Sequence, residues 1–351
     1  MSRILIDICH PAHVHFFKNV IVVLTERGHE VLVTSREKEV TVRLLEDLGV
    51  RHCLLSSASK GGVIGMLKEL VIRNLALYKV VRKFKPHAMS AIGGIFVAQV
   101  GRLTSTPSVV FYDTENAALQ NALTYPFASK VSVPRAYEGW LPKRSERYDG
   151  YHELAYLHPE FFKPNYTEAV ANGLSPSGDT FLVRVVSWNA NHDLNEKGWS
   201  VELLRTVVSF LSTQGKVIVS SEGPLPDALA PYGFSGNPSS IHHVMAFCRL
   251  YVGESATMAS ESVVLGVPAI YAAHTGRGYC NEQETRYDML RNVSELNEGS
   301  LMECIKEFLE VMPDEISMRH QALMKDTIDV VEYSANLIES MVKNNAVSPI
   351  Q

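Results

Sequence analysis

The stretch Val252-Gly253-Glu254-Ser255-Ala256-Thr257-Met258-Ala259-Ser260-Glu261-Ser262-Val263-Val264-Leu265-Gly266-Val267-Pro268 decides the fold. It starts inside an apolar run, Cys248 to Val252 broken only by Arg249, that reads as a buried parallel strand ended by Gly253. Ser255 and Thr257 stand where a helix begins, with side-chain oxygens able to cap free backbone donors. The helix carries Met258, Val264 and Leu265 inward and stops at Gly266 before Pro268; Val267 to Ala272 supplies the next buried strand. Such a unit turns unpaired N–H groups and a positive dipole end toward the carboxyl edge of a sheet, which suits a phosphate or pyrophosphate. Glu261 lies about two turns on, roughly 9 Å along the axis, where a carboxylate reaches both hydroxyls of an attached ribose. The same spacing also describes an ordinary βαβ unit whose Ser and Thr only cap the helix, so the stretch alone leaves both readings open.

Outward from it, the whole chain alternates. At 351 residues it exceeds one ordinary core, and two domains follow. A hydrophobic share of 46% with 20% charged residues describes a globular protein, and the net charge of −5 gives no reason to expect nucleic acid as a partner. Five cysteines, an odd number without a C-x-x-C pair, argue for reduced thiols and a cytoplasmic setting. The N-terminus enters a strand at once, Ile4 to Ile8, and no run reaches the length of a membrane span. That strand leads into His10-Pro11-Ala12-His13-Val14-His15 and a helix from Phe16 to Glu26. Strands at Val31–Thr34 and Arg51–Leu55 and a helix at Lys38–Leu48 continue a doubly wound parallel sheet.

Three imidazoles in six residues raise the question of a metal, but no later cluster of Asp and His completes a site. They are read instead as polar cleft residues in a β1–α1 loop, with helix-start residues on a cleft wall as the plainer alternative. Residues 61–85 form a helix with a wide apolar face and a polar side that is almost wholly basic, with Lys68, Arg73, Lys79, Arg82, Lys83 and Lys85. Its readings are a sheet-covering helix with a solvated basic face or one that rests on an anionic membrane surface. A strand from Pro86 ends in Gly93-Gly94, where a ligand or backbone can approach closely. The strand Val109–Tyr112 delivers Asp113, Thr114, Glu115 and Asn116 to the carboxyl edge. Prolines 134, 142, 159, 164 and 176 mark an interdomain connection. A second α/β alternation then runs through a strand at Thr180–Ser187, the polar loop Trp188–Asp193 with His192 and Asp193, and a helix at Val201–Leu211. After Ala272, the loop His274–Gly278 gives Arg277 a basic reach toward phosphates, and helices at Met302–Met312 and Glu315–Met341 close the chain.

Two Rossmann-like halves with a nucleotide signature in the second resemble the GT-B fold. Ala12-His13-Val14 and Arg27-Gly28-His29-Glu30-Val31 look like the opening of the UDP-N-acetylglucosamine transferase that makes lipid II. Gly93-Gly94, then Asp113, Glu115, Asn116 and Asn121, are similar to that enzyme's second glycine motif and polar strand end. Glu254-Ser255-Ala256-Thr257 with Glu261 and Leu265-Gly266-Val267-Pro268 resembles the donor site shared by that transferase and the UDP-N-acetylglucosamine 2-epimerases. Gly150-Tyr151-His152-Glu153-Leu154-Ala155-Tyr156-Leu157 and the Trp188–Asp193 loop look like phrases of a bacterial and archaeal GT-B-like family without an assigned function. The epimerases carry an acid where this chain has Gly94, and the transferase's first glycine loop is replaced by His10-Pro11-Ala12.

The resemblance implies an α/β, GT-B protein of two Rossmann-like domains with a cleft between them. The expected boundaries are an acceptor domain at 1–140, a connection at 141–178, a nucleotide-sugar domain at 179–330, and a helix at 331–351 able to cross back to the first domain. The implied activity is transfer of a sugar from a nucleotide-sugar donor, UDP-linked, to a glycan or lipid-linked acceptor. The alternatives are a 2-epimerase or a non-catalytic nucleotide-sugar-binding protein. His13 or Asp113 is expected to deprotonate the acceptor, while Gly253, Glu254, Ser255, Ala256, Thr257 and Glu261 hold the donor. His10, Gly93, Gly94, Glu115, Asn116, His192, Asp193 and Arg277 are expected to line the rest of the cleft. Neither a metal nor a cofactor is expected, because helix N-termini and backbone donors take the charge of the departing UDP.

Overall fold

The computed structural model describes residues 1–37, 40–57, 62–186 and 198–347, which divide into two compact units. The first unit comprises Met1–Tyr156 with Ile328–Gln351, and the second Leu157–Thr327. Each contains its own parallel sheet.

In the first unit the elements are β1 (Arg3–Ile8), α1 (Pro11–Glu26), β2 (Glu30–Glu37), α2 (Thr41–Asp47), β3 (His52–Ser57), α3 (Gly62–Phe84), β4 (Ala88–Ile92), α4 (Ile95–Thr104), β5 (Ser108–Phe111), α5 (Ala118–Thr124), β6 (Lys130–Pro134), β7 (Ser145–Tyr148) and α6 (Leu154–Leu157). The strand order is β3-β2-β1-β4-β5-β6-β7. Near-continuous apolar strands explain why this sheet is covered on both faces: Ile4, Leu5, Ile6 and Ile8 of β1 are fully buried. Phe16 and Phe17 of α1 meet Phe111 of β5 at ring separations of 5.1 and 6.1 Å.

The second unit runs through α7 (Tyr166–Ala171), β8 (Thr180–Val185), α8 (Val201–Ser212), β9 (Lys216–Ser221), α9 (Ile241–Met245), β10 (Leu250–Gly253), α10 (Ala256–Val264), β11 (Ala269–Ala272), α11 (Gly278–Thr285), β12 (Leu290–Val293), α12 (Glu298–Glu310) and α13 (Pro313–Lys325). Its strand order is β12-β11-β10-β8-β9. The last helix, α14 (Val330–Val347), packs on α1, β4 and β5 of the first unit. The long closing helix read from the sequence is therefore two, and the Asp329 carboxylate makes the break by accepting the Val331 and Glu332 N–H groups at 2.8 and 2.9 Å. Chain connectivity passes from one unit to the other at this break.

Three further readings are corrected. The expected connection contains β7, which extends the first sheet at its edge. Its sequence Ser-Glu-Arg-Tyr is too short and too charged to announce a strand, as edge strands often are. α11 and β12 were also not legible, the former because its polar sequence GYCNEQET lacks an apolar stripe. Arg73 does not belong to the solvated basic side of α3. It is fully buried and ion-paired to Asp7 of β1 at 2.6 Å, and Thr34 also donates to that carboxylate oxygen at 2.6 Å. The outer surface of α3 instead exposes Val71, Ile72 and Leu75 among Lys68, Lys79, Arg82 and Lys83.

Candidate functional site

Each sheet has one point where the chain reverses its direction of travel across the strands: between β1 and β4 in the first, between β8 and β10 in the second. The carboxyl ends of strands diverge at such a point and leave room for a ligand. The sequence-predicted residues that the structure describes fall at these two edges.

At the second edge, Gly253 ends β10 against β8 so closely that a Cβ there would lie 2.4 Å from the Arg184 carbonyl oxygen. Only glycine lets the two strands meet. Ser255 caps α10 by accepting the Met258 N–H at 3.3 Å, while the amides of Ala256 and Thr257 belong to the first turn, where helices lack internal partners. The half-buried carboxylate of Glu254 accepts the Val186 and Trp199 N–H groups at 2.9 and 2.8 Å, tying the end of β8 to the chain that leads into α8. Burial raises its pKa and these two amides oppose the rise. Glu254 is thus engaged in bracing backbone. His192, Asp193 and the Trp188–Asp193 loop lie outside the described residues.

Glu261 is buried and pairs with His242 of α9 at 3.0 Å. His242 went unnoticed in the sequence, since the pair joins residues 19 apart on separate helices. The same unit holds a cavity of about 690 Å³, walled by Arg184, Ser220, Gly223, Phe234, Ile241 and Met258 among others. Arg184 donates to Ser220 and Glu222, both at 2.9 Å, and its Nε is buried without a hydrogen-bond partner among the described residues. Arg277 precedes α11, whose Cys280 thiol lies 3.9 Å from the Ala256 carbonyl, so the first turns of α10 and α11 are neighbours.

At the first edge, His10 is the N-cap of α1 and accepts the Ala12 N–H at 3.2 Å through Nδ1. His13 and His15 are therefore helical rather than in a loop, because Pro11 starts α1 five residues before the apolar run begins. The His13 ring stands 5.8 Å from that of His10, while the His15 ring turns to Tyr156 at 5.3 Å. Among the described residues no group of three or more His, Cys, Asp and Glu is gathered to hold a metal ion. Asp113, just past β5, meets His152 Nδ1 at 3.2 Å and accepts from the Thr114 hydroxyl at 3.0 Å. Burial works against its ionisation, but the charges and hydrogen bonds of His152, Thr114 and His13 win, and its pKa is lowered to about 2. His152 is buried against Phe16 with ring centroids 4.6 Å apart, and its Nε2 has no hydrogen-bond partner among the described residues.

Gly93 and Gly94 both take left-handed backbone, with φ of 70° and 57°. A Cβ on Gly94 would lie 2.3 Å from Val110, so position 94 has no room for an acidic side chain. The Gly93 carbonyl accepts from Tyr112 and Thr124 hydroxyls. Glu115 accepts the Glu138 N–H at 3.3 Å, and Asn116 is exposed.

A family model described as "Protein of unknown function (DUF354)" matches residues 2–184, more than half of the chain. The chain belongs to this family. The matched span holds the first edge and ends in β8, short of α10. A curated relative, the uncharacterized protein MJ0665 of Methanocaldococcus jannaschii, is 29% identical over 136 residues, which are 37% of this chain and 38% of the relative's length. Among solved structures, a UDP-GlcNAc 2-epimerase from Methanocaldococcus jannaschii superposes with a TM-score of 0.71 at 13% identity over 96% of this chain and 99% of its own. The spinosyn rhamnosyltransferase SpnG gives 0.65 at 11% over 98% and 100%. The fold is GT-B, with two Rossmann-like domains, as in these sugar-nucleotide epimerases and glycosyltransferases.

Proposed function

We propose that this protein is a metal-independent glycosyltransferase that takes a sugar from a UDP-linked donor to a hydroxyl acceptor. The observation that carries the reading is the second edge. There one unit holds the capped start of α10, the buried Glu261, and a cavity of about 690 Å³ that Met258 of α10 helps to wall, with an Arg184 Nε that has no hydrogen-bond partner among the described residues. The volume falls in the range of small-molecule sites. First-turn amides of α10 would receive the diphosphate, Glu261 the ribose hydroxyls with His242 holding its other side, and the cavity the base. The amides and the dipole then take the charge that grows on the leaving UDP without reorganising.

Acceptor activation belongs to the first edge. A carboxyl lowered to about 2 is a poor proton acceptor, so Asp113 serves as the anion that orients and stabilises an imidazolium. His152 is buried against that carboxylate. The partly exposed His13 is the proton acceptor in this reading. The lack of space for an acid at position 94 supports transfer over 2-epimerisation. Incubating the protein with UDP-N-acetylglucosamine in deuterated water separates the two: transfer leaves C2 free of deuterium, whereas deuterium at C2 means epimerase chemistry. Contact with an anionic membrane surface is proposed for the outer face of α3, where Val71, Ile72 and Leu75 stand among lysines and Arg82. Among the described residues no helix is long and apolar enough to cross a membrane.

A further inference from the structure

A second cavity, of about 460 Å³, lies wholly within the first unit, between α5 and the chain that joins β6 to β7. Its walls include Tyr125, Trp140, Pro142, Glu115, Asn121 and Arg144. Trp140 is 75% exposed, an unusual position for the largest apolar side chain, and its ring lies 6.0 Å from that of the buried Tyr125. Tyr125 is fixed in turn by its hydroxyl bond to Tyr137 at 3.0 Å. The cavity thus has an aromatic side in which Tyr125 is held in place and Trp140 is open to solvent. Its polar groups are few and of mixed kind: a carboxylate, an amide and a guanidinium. Asn121 Oδ1 is buried and has no hydrogen-bond partner among the described residues, an acceptor left without a donor.

We infer that this cavity binds a pyranoside ring, as the acceptor site of the transfer proposed above, on which this assignment rests. An aromatic face is negative and attracts the polarised C–H groups on one side of a sugar ring. Hydroxyls on the ring's edge donate to Glu115 and Asn121 and accept from Arg144, whose fork has five donors and uses one on the Tyr125 carbonyl. An alkyl chain would desolvate these three polar groups without pairing them, which is costly. Opposite charges on Glu115 and Arg144 favour a neutral ring over an anion or a cation. Glu115, two residues beyond Asp113, sets one end of the cavity wall at the strand end that carries the proposed catalytic groups, while Tyr125 and Arg144 wall it further along α5.

The test is saturation-transfer NMR with methyl β-glucoside, methyl β-galactoside and methyl N-acetyl-β-glucosaminide, with cyclohexylmethanol as the apolar comparator. Ring protons of at least one glycoside should saturate on the wild-type protein and equally on Leu103→Ala, a control at a comparably exposed apolar residue of the same unit. Affinity should fall roughly 2- to 12-fold in Trp140→Ala and recover in part in Trp140→Phe. Saturation unchanged in Trp140→Ala, glycosides that stay silent, or cyclohexylmethanol bound in their place would each overturn the assignment. UDP binding, followed on the same samples, keeps the two claims apart. Silent glycosides with intact UDP binding sink this inference alone, whereas glycosides bound at Trp140 without UDP binding sink the transferase reading and leave the cavity a sugar site.

Discussion

The two edges are made of different materials. The first gathers titratable side chains: Asp113 meets His152 at 3.2 Å, and His13 lies close enough to help lower its pKa. The second relies on backbone, with a capped helix start and a glycine that nothing larger can replace. One of its carboxylates, Glu254, is spent on two amides, and the other, Glu261, is paired with His242. The contrast suits a division of labour in which one unit moves a proton and the other holds a leaving group.

The strongest way to break this comparison is His13→Ala. Turnover should fall by about 10²- to 10⁴-fold, the usual worth of a general base, with UDP affinity unchanged. Loss of UDP affinity with unchanged turnover at saturating donor would move His13 out of the proton-transfer role. Next comes the support beneath that edge. Arg73→Ala leaves the Asp7 carboxylate buried without its cation and should cost about 3–5 kcal/mol in denaturant unfolding; a loss below about 1 kcal/mol would show that the pair is not what holds β1 to α3.

Glu254→Ala should cost about 2–3 kcal/mol, since two backbone donors lose their acceptor, and it should leave most of the UDP response intact. A stability unchanged beside an abolished UDP response would instead make Glu254 a direct ligand. Asp113 offers a pH test. Its depressed pKa contributes stability that is complete above the ordinary carboxylate range and disappears as pH falls toward 2. Wild type should therefore exceed Asp113→Asn by about 2 kcal/mol at pH 5 and match it near pH 2. An equal gap at both pH values would refute the ion-pair origin of the shift. The smallest effect belongs to α3: Ser at positions 71, 72 and 75 should reduce co-sedimentation with phosphatidylglycerol vesicles without touching activity in solution, and a wild type that stays in the supernatant would make that face ordinary surface.

Much of the architecture was legible because apolar strands, glycine ends and helix caps are local signals. β10, α10 and β11 read directly from Val252–Pro268, and Ser255 caps where its side chain said it would. What escaped was set by distance or by edges. The four-residue edge strands β7 and β12 bury too little to show a pattern, and Arg73 looked solvated because its partner Asp7 is 66 residues away. His152 and His242 stayed unassigned for the same reason: their carboxylates, Asp113 and Glu261, approach only in the folded chain.

The central claim, that the second unit is a nucleoside-diphosphate site, is tested most directly by titrating UDP into wild type and Glu261→Ala while following thermal unfolding. At a hundredfold excess over its dissociation constant, UDP should stabilise the wild type by about 2.7 kcal/mol. Most of that gain should vanish in Glu261→Ala. A wild type indifferent to UDP, or a variant that responds as fully as wild type, would contradict the account.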